Sequence, residues 1–389
     1  MFLDFSALQN IGSRFAAYWW LWLFLLILFL SLRIWRMYIQ EYYKKITNPW
    51  MMLELRFPRE TTQPPKAMEQ VFAALHAIRN SASDFEEKWW DGETPLWFSF
   101  EAASFGGEVH FYLFIPAIRR SHIEATFYAN YPDIEITEVA EDYIYRLPPT
   151  AAELYAKRYR MFGNELLLAK SGTSRPAVYP IRTYIDFEAA VVEKEIDPVA
   201  TLLETLARIK PEEHLWMQIL VRPKVDNFIP AFHKAGEDEI EGIKERGRFA
   251  RTAAGQVVID PITGLPVYTI PSPAETEQMK AIDRKVSKPA FDVVIRYLYI
   301  APQGVFSSSF GRRSIFNVMN QYASESFNKF GHHVFAWTLA KLWYAPYIFP
   351  MRRAAARREW LYEKYRSRTM YPDTITEAIF KMKLFQGGF

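Results

Sequence analysis

Leu96-Trp97-Phe98-Ser99-Phe100-Glu101, then Phe105-Gly106-Gly107-Glu108, then Val109-His110-Phe111-Tyr112-Leu113-Phe114-Ile115 reads as a β-hairpin. Two runs rich in strand-forming residues flank a glycine pair, and glycine can take the positive φ that a tight hairpin turn requires. Alternation places Trp97, Glu101, His110, Tyr112 and Phe114 on one side, and Phe98, Phe100, Val109, Phe111 and Leu113 on the other. One side is expected to be helix-covered core. Upstream, Met51 to Phe57 alternates as a strand that Pro58 ends, and Pro64-Pro65 opens a helix with Met68, Val71, Phe72, Leu75 and Ile78 on one face. Downstream, Ser121 is placed to cap a second helix carrying Ile123, Phe127 and Ala129. Tyr131-Pro132-Asp133 stops it, and Ile134 to Val139 forms a closing strand. The order β-α-β-β-α-β predicts an α+β fold with a ferredoxin-like split unit over residues 51–146.

The order is expected to recur. After a connector at 147–177, Val178 to Phe187 reads as a strand and Asp197-Pro198 opens a helix. Val199, Leu202, Leu203, Leu206 and Ile209 repeat the spacing of the first helix. His214 to Arg222 and Phe291 to Ile300 supply middle strands, and Ile315, Val318, Met319 and Tyr322 a helical face. Arg119-Arg120-Ser121 and Arg312-Arg313-Ser314 then read as matching helix starts. The reading is an old duplication, with a second ferredoxin-like unit at 178–338 interrupted by an insertion at 224–290. The insertion predicts an acidic helix at Gly236 to Gly247 and a further helix from Ser272-Pro273. Residues 339–389 read as an aromatic segment followed by a basic helix from Met351 to about Arg368.

Ahead of both units, Phe15 to Leu32 is uncharged and, with its Trp and Arg edges, long enough at about 1.5 Å per residue to cross a bilayer. The expected layout is an outer tail at 1–14, a transmembrane helix at 15–36 and a connector at 37–50. Trp19, Trp20, Arg33, Trp35 and Arg36 are the candidate membrane-interface residues. Arg33, Arg36, Lys44 and Lys45 follow the span and Arg14 alone precedes it, which predicts a single-pass protein of the inner membrane with its bulk in the cytoplasm. A cleaved signal peptide would need a shorter apolar stretch, several preceding positive charges and a small-residue cleavage site, where this chain has Leu32-Arg33-Ile34-Trp35-Arg36.

Composition narrows the chemistry. The chain has no cysteine, which excludes disulfides, thiolate metal ligands and a cysteine nucleophile. Its formal charge of +3 names no partner. No glycine is followed by lysine, so a phosphate-cradling P-loop is excluded; neither H-E-x-x-H nor G-x-S-x-G occurs. His332-His333 is the one adjacent histidine pair, and sequence neighbours point apart. No catalytic, cofactor or metal-ligating residue is therefore nominated, and no cofactor is expected. The aromatic hairpin face could stack nucleic-acid bases, but it carries Glu101 and neither strand holds Lys or Arg, so packing against protein is the expectation. Two readings of the basic helix stay open, a solvent-exposed face or a surface on anionic lipid. Arg352, Arg353, Arg357 and Arg358 are the candidate contacts with a partner or with lipid.

Several stretches carry a resemblance: Leu53-Glu-Leu-Arg-Phe-Pro-Arg-Glu60, Pro65-Lys-Ala-Met-Glu-Gln-Val-Phe-Ala-Ala-Leu-His76, Lys88-Trp-Trp90, Gly107-Glu-Val-His-Phe-Tyr112, Tyr128-Ala-Asn-Tyr-Pro132 and Ser287-Lys-Pro-Ala-Phe-Asp-Val293. The chain resembles a membrane-anchored domain of unknown function in candidate-phyla-radiation (Patescibacteria) bacteria. It is similar to the N-terminal region of their type IV secretion or conjugation-like DNA-transfer proteins, in which a P-loop ATPase domain follows. The sequence given runs to Phe389 without that domain, so the resemblance implies a platform and no motor activity. The expected function is a non-catalytic, membrane-anchored scaffold that recruits a separate ATPase or other secretion component, with oligomerisation possible. The alternatives are a membrane-anchored nucleic-acid-binding protein, which needs a basic stripe joining Arg119, Arg120, Arg312, Arg313 and the Met351 helix, or an enzyme with a site between the two units.

Overall fold

Residues 18–43, 49–58, 63–77, 84–169, 177–189, 198–224, 229–247, 271–324, 327–333, 336–338 and 349–371 are described by the computed structural model. Two units emerge, residues 1–50 with 80–96, and residues 51–79 with 97–389.

In the first unit, helix α1 spans Trp19–Tyr42, about 36 Å at 1.5 Å per residue. Its apolar side chains stand exposed from Trp19 to Leu32. It is long and apolar enough to cross a membrane. Residues 15–17 of the expected span lie outside the described residues. The helix does not end at Arg36 as expected but continues to Tyr42, because Met37 to Tyr42 contains no breaker and its inner face is held by a π-helical turn at Glu87–Asp91. Trp35 Nε1 donates to Trp89 O at 3.0 Å, and Arg36 lies over the Trp89 ring at 5.7 Å. A Cβ at Gly92, whose φ is +71°, would fall 2.6 Å from the Ile39 backbone, so only glycine lets this turn lie against the helix.

The second unit is built on one eight-stranded sheet in the order β4-β1-β3-β2-β6-β7-β5-β8. Its strands are β1 (Trp50–Arg56), β2 (Phe98–Phe105), β3 (Glu108–Pro116), β4 (Glu135–Glu138), β5 (Tyr159–Leu168), β6 (His214–Pro223), β7 (Phe291–Pro302) and β8 (Phe330–His332). The helices are α2 (Lys66–Ala77), α3 (Arg120–Asn130), α4 (Ala151–Ala156), α5 (Tyr184–Ala189), α6 (Pro198–Ala207), α7 (Ile229–Gly247), α8 (Pro273–Val286), α9 (Ser308–Asn320) and α10 (Pro350–Arg366). The hairpin turns at Gly106 and Gly107, with φ of +62° and +97°, as a two-residue loop between right-twisted strands demands.

The first half follows the expected element order. Helices α2 and α3 cover one sheet face, burying Val71, Leu75, Ile123 and Phe127 against Leu53, Leu55, Phe98 and Leu113. Two details differ. A 3-10 turn at Ala117–Arg119 leads into α3, so the helix begins before Ser121 and no side chain caps it. The halves are also not separate units, since β2 pairs with β6 along its full length and joins them into one sheet.

The second half is where the sequence reading needs correction. Val178 to Phe187 is not a strand: 177–183 has no regular structure, Pro180 lacks the N–H a ladder needs, and the Thr183 N–H bonds Asp186 at the start of α5. The strand is β5, inside the expected connector. Counted from edge to centre the halves place their strands alike, β4-β1-β3-β2 and β8-β5-β7-β6. In this half β5 runs antiparallel to β7 and β8, and β6 antiparallel to β7, all within the one eight-stranded sheet. Helix α9 starts at Ser308 behind Ser307, whose side chain accepts from Phe310 N; Arg312 and Arg313 therefore lie within the helix and do not match Arg119 and Arg120. The insertion holds α7 and α8. Ser272 and Glu275 form a reciprocal capping box with Pro273 at N1, and Phe232, Ile243, Ile282 and Val286 make a small core between the two helices.

Candidate functional site

Strand β2 reads Phe-Ser-Phe-Glu-Ala-Ala-Ser-Phe, with Glu101 at its middle. Gln218, Arg296 and Glu165 similarly interrupt the apolar runs of β6, β7 and β5. Register lines them up: Tyr112 opposes Glu101, Glu101 opposes Gln218, Gln218 opposes Arg296, and Arg296 opposes Glu165. Cross-strand partners share a face. One polar row thus crosses the sheet at mid-strand, on the aromatic side of the hairpin, and every member is buried.

Helix α10 and the residues after it cover this row. Leu361, Tyr362 and Tyr365 enter the core with Tyr143, Trp216 and Leu298. Gly163 admits the helix, since a Cβ there would lie 2.8 Å from Leu361 Cδ2 and 2.6 Å from Leu298 Cδ2. Just beyond α10, Arg368 takes a left-handed φ of +47° and points inward. It donates to Glu101 through Nε at 2.6 Å and Nη2 at 2.9 Å, and to Asp142 through Nη1 at 2.5 Å and Nη2 at 3.1 Å. Its guanidinium lies 4.2 Å from the Phe114 ring centroid. Glu101 also accepts from Ser99 Oγ at 2.5 Å, Tyr143 OH at 2.7 Å and Gln218 Nε2 at 3.0 Å.

A second cluster closes the other end of the row. Arg296 donates from Nε to Glu165 Oε1 at 2.5 Å and from Nη1 to the Lys364 carbonyl at 3.3 Å. The far oxygen of Glu165 meets Tyr371 OH and, at 3.1 Å, His333 Nδ1. Beside it Asn164 Nδ2 bonds His332 Nδ1 at 2.6 Å, and the His332 ring stacks between Phe316 and Trp337. The adjacent histidines thus serve different partners. Among the described residues, no group of three or more His, Asp or Glu is arranged to hold a metal ion.

Electrostatics follow from burial and pairing. Burial by itself would raise the Glu101 carboxyl, but the Arg368 charge and the hydrogen bonds from Arg368, Ser99 and Tyr143 outweigh it and hold the group below its usual range. Glu165 is held low in the same way, burial being outweighed by His333, Arg296 and Tyr371. Tyr143 and Tyr365, buried beside the Glu101 charge, are pushed well above the usual phenol range, so they stay protonated as donors. The row is an ionised, paired network in which every oxygen of Glu101 and Glu165 accepts a hydrogen bond, while Gln218 Oε1 is buried without a partner among the described residues. Such an arrangement holds structure.

The sequence-nominated residues lie elsewhere. Trp19 and Trp20 stand exposed at the start of α1; Arg33 lies 5.4 Å from the Phe29 ring, and Trp35 and Arg36 meet the Trp89 turn. On α10 the basic residues do not share one exposed face. Arg352 is exposed over Phe349, Arg358 lies over Tyr155 at 4.5 Å, and Arg357 donates to Trp337 O at 3.4 Å. Arg353 is half-buried. Arg366 donates to Ile144 O at 2.7 Å, and Arg368 is the buried clamp. The aromatic hairpin face is covered by the chain itself, with Tyr112 stacked on Tyr143 at 5.1 Å and Arg368 lying over Phe114 at 4.2 Å. Arg120 is paired with Glu124 and Glu138. Sequence reasoning placed Glu101 on the aromatic hairpin face but missed the network, although a charged or amide residue near the middle of each of these otherwise apolar strands was a signal that could have found it.

A family model described as a domain of unknown function (DUF8128) matches residues 33–313, more than half of the chain. Neither the curated proteins nor the solved structures contain a match.

Proposed function

The chain belongs to the domain-of-unknown-function family DUF8128, and from that premise we propose that it is a membrane-tethered, non-catalytic adaptor. The observation that carries the reading is α1, whose exposed apolar side chains run from Trp19 to Leu32. A helix of that surface is stable where its side chains meet hydrocarbon. Arg33, Arg36, Lys44 and Lys45 after the span favour a cytoplasmic body by the positive-inside rule. The full pairing of the buried carboxylates supports a body that works by contact. The order β4-β1-β3-β2 supports a ferredoxin-like reading of residues 51–146.

On this reading the adaptor recruits a separately encoded ATPase or another component of a secretion or DNA-transfer apparatus, as the resemblance at Leu53–Glu60 and Gly107–Tyr112 suggests. The test has two arms. A phosphatase reporter fused after Phe389 should be inactive while a cytoplasm-active reporter at the same point works; the reverse overturns the topology. The purified full chain should neither bind nor turn over ATP, yet should co-purify from membranes with an ATPase of the same genome. ATP turnover by the chain alone would replace the adaptor with an enzyme.

A further inference from the structure

Between the sheet and the α7–α8 pair lies a cavity of about 740 Å³, within the roughly 300–1,000 Å³ range of small-molecule sites. Leu166, Leu168, Ile295 and Phe330 form its floor, and Phe232 and Ile181 line it from the helical pair and the segment before α5. The wall is mainly apolar with a few charged groups. Asp186 accepts from Thr183 N at 2.6 Å and Oγ1 at 3.1 Å, Asp292 is paired with Arg222 at 2.6 Å and Lys224 at 2.8 Å, and Lys288 is paired with Glu69.

Lys285 is different. Its Nζ donates to two carbonyls, those of Ala177 and, at 3.0 Å, Tyr179, and no carboxylate among the described residues lies within ion-pair reach. An ammonium has three N–H groups, so one remains. Burial lowers the Lys285 pKa to about 8, which leaves the amine mostly charged at neutral pH. A half-buried cation in an apolar cavity, neutralised by dipoles alone, is costly unless an anion joins it. Arg284, on the same helix and lining the same cavity, adds positive charge.

We propose that this cavity binds a single-chain amphiphile, with its anionic head, carboxylate or phosphate monoester, on Lys285 and its hydrocarbon chain along Leu166, Leu168, Ile295 and Phe330. Each half of that ligand answers one feature of the site: the chain removes apolar surface from water, and the head supplies the counter-charge that Lys285 lacks among the described residues.

The experiment uses the full chain in phosphatidylcholine nanodiscs, with 11-dansylaminoundecanoate as the fluorescent probe and protein-free nanodiscs as the blank. Oleate and oleoyl-lysophosphatidate compete in parallel, which separates a free fatty acid from a phospholipid source, and oleyl alcohol is the uncharged control. At least one anion should displace the probe about tenfold more tightly than the alcohol. Lys285→Met, which keeps the aliphatic stem, should abolish that preference while leaving the alcohol unchanged, and Ala281→Trp should block all three by filling the cavity. Circular dichroism and the unfolding midpoint establish that each variant is folded. Should Lys285→Met fail to fold, the ratio of anion to alcohol on the unmodified chain still decides. Probe signal equal to the blank, or equal competition by anion and alcohol, overturns the site.

Discussion

Arg368 is the residue whose replacement tests the architecture most sharply. Its side chain is 4% exposed and that of Glu101 is 0% exposed, so solvent screens neither partner. Removing one member of a buried ion pair leaves the other charge uncompensated and costs about 3–5 kcal/mol. Arg368→Ala should fall in that range, because it strands Glu101 and Asp142 together. The backbone adds a second, opposite term. A φ of +47° is unfavourable for any residue with a Cβ, by about 1 kcal/mol, and is natural for glycine just past a helix end. Arg368→Gly should therefore be less destabilising than Arg368→Ala by about 1 kcal/mol, although it removes more atoms. Pairing Arg368→Met with Glu101→Gln should recover part of the loss, since the orphaned charge goes with its partner. Equilibrium urea unfolding of the full chain in detergent, followed by tryptophan fluorescence, measures all of these, and Trp216 beside Tyr143 and Tyr365 reports on the site itself. A loss below about 1 kcal/mol for Arg368→Ala, or Gly worse than Ala, would refute the reasoning.

Acid should act on the same network. Glu101 and Glu165 are held below their unfolded value of about 4.3, so their stabilisation is complete above that pH and is lost as pH falls through the lower folded values; Glu101→Gln should flatten that acid limb of the unfolding midpoint. Gly163→Ala should destabilise by about 1–3 kcal/mol in the same assay, because its Cβ would press on Leu298, Leu361 and the Tyr297 carbonyl. Leu25→Arg with Leu26→Arg should shift the protein from the membrane to the soluble fraction on centrifugation, each central charge costing about 2.5–3.5 kcal/mol on insertion. Retention of the double variant in membranes would remove α1 as the anchor.

The hairpin and its neighbours were legible because their signals are local: a Gly-Gly turn between alternating strands, and apolar residues at helical spacing on α2 and α3. The α8 start was legible for the same reason, from Ser272-Pro273. Strand β5 was not. It is covered on both faces, by Leu361 of α10 at Gly163 and by Gly311 of α9 at Phe162, so its sequence carries no alternation, and Gly163-Asn164-Glu165 reads like a break. The basic helix misled because composition reports charge and not direction. Arg366 and Arg368 look like surface cations in the chain, yet they turn inward to carbonyls and carboxylates contributed by residues 101–148, more than 200 positions earlier. No window along the sequence contains both partners of such a pair.

That separation explains why a polar row runs through an otherwise apolar core. In a sheet, a one-residue slip moves every side chain to the opposite face. Sliding β2 by one residue against β6 would carry Glu101 away from Gln218 and Arg368 and into the face where Phe98 and Leu113 pack against Val71 and Phe127. An unpaired carboxylate there is far costlier than a misplaced leucine. The same holds for Arg296 and Glu165 between β7 and β5. Apolar partners of similar volume would stabilise the sheet as well or better, but they would accept the slipped register. Because Arg368 and Tyr371 follow every described strand, the network is completed only when α10 docks, so the C-terminal segment closes on the sheet whose charges are already in line and rejects the others.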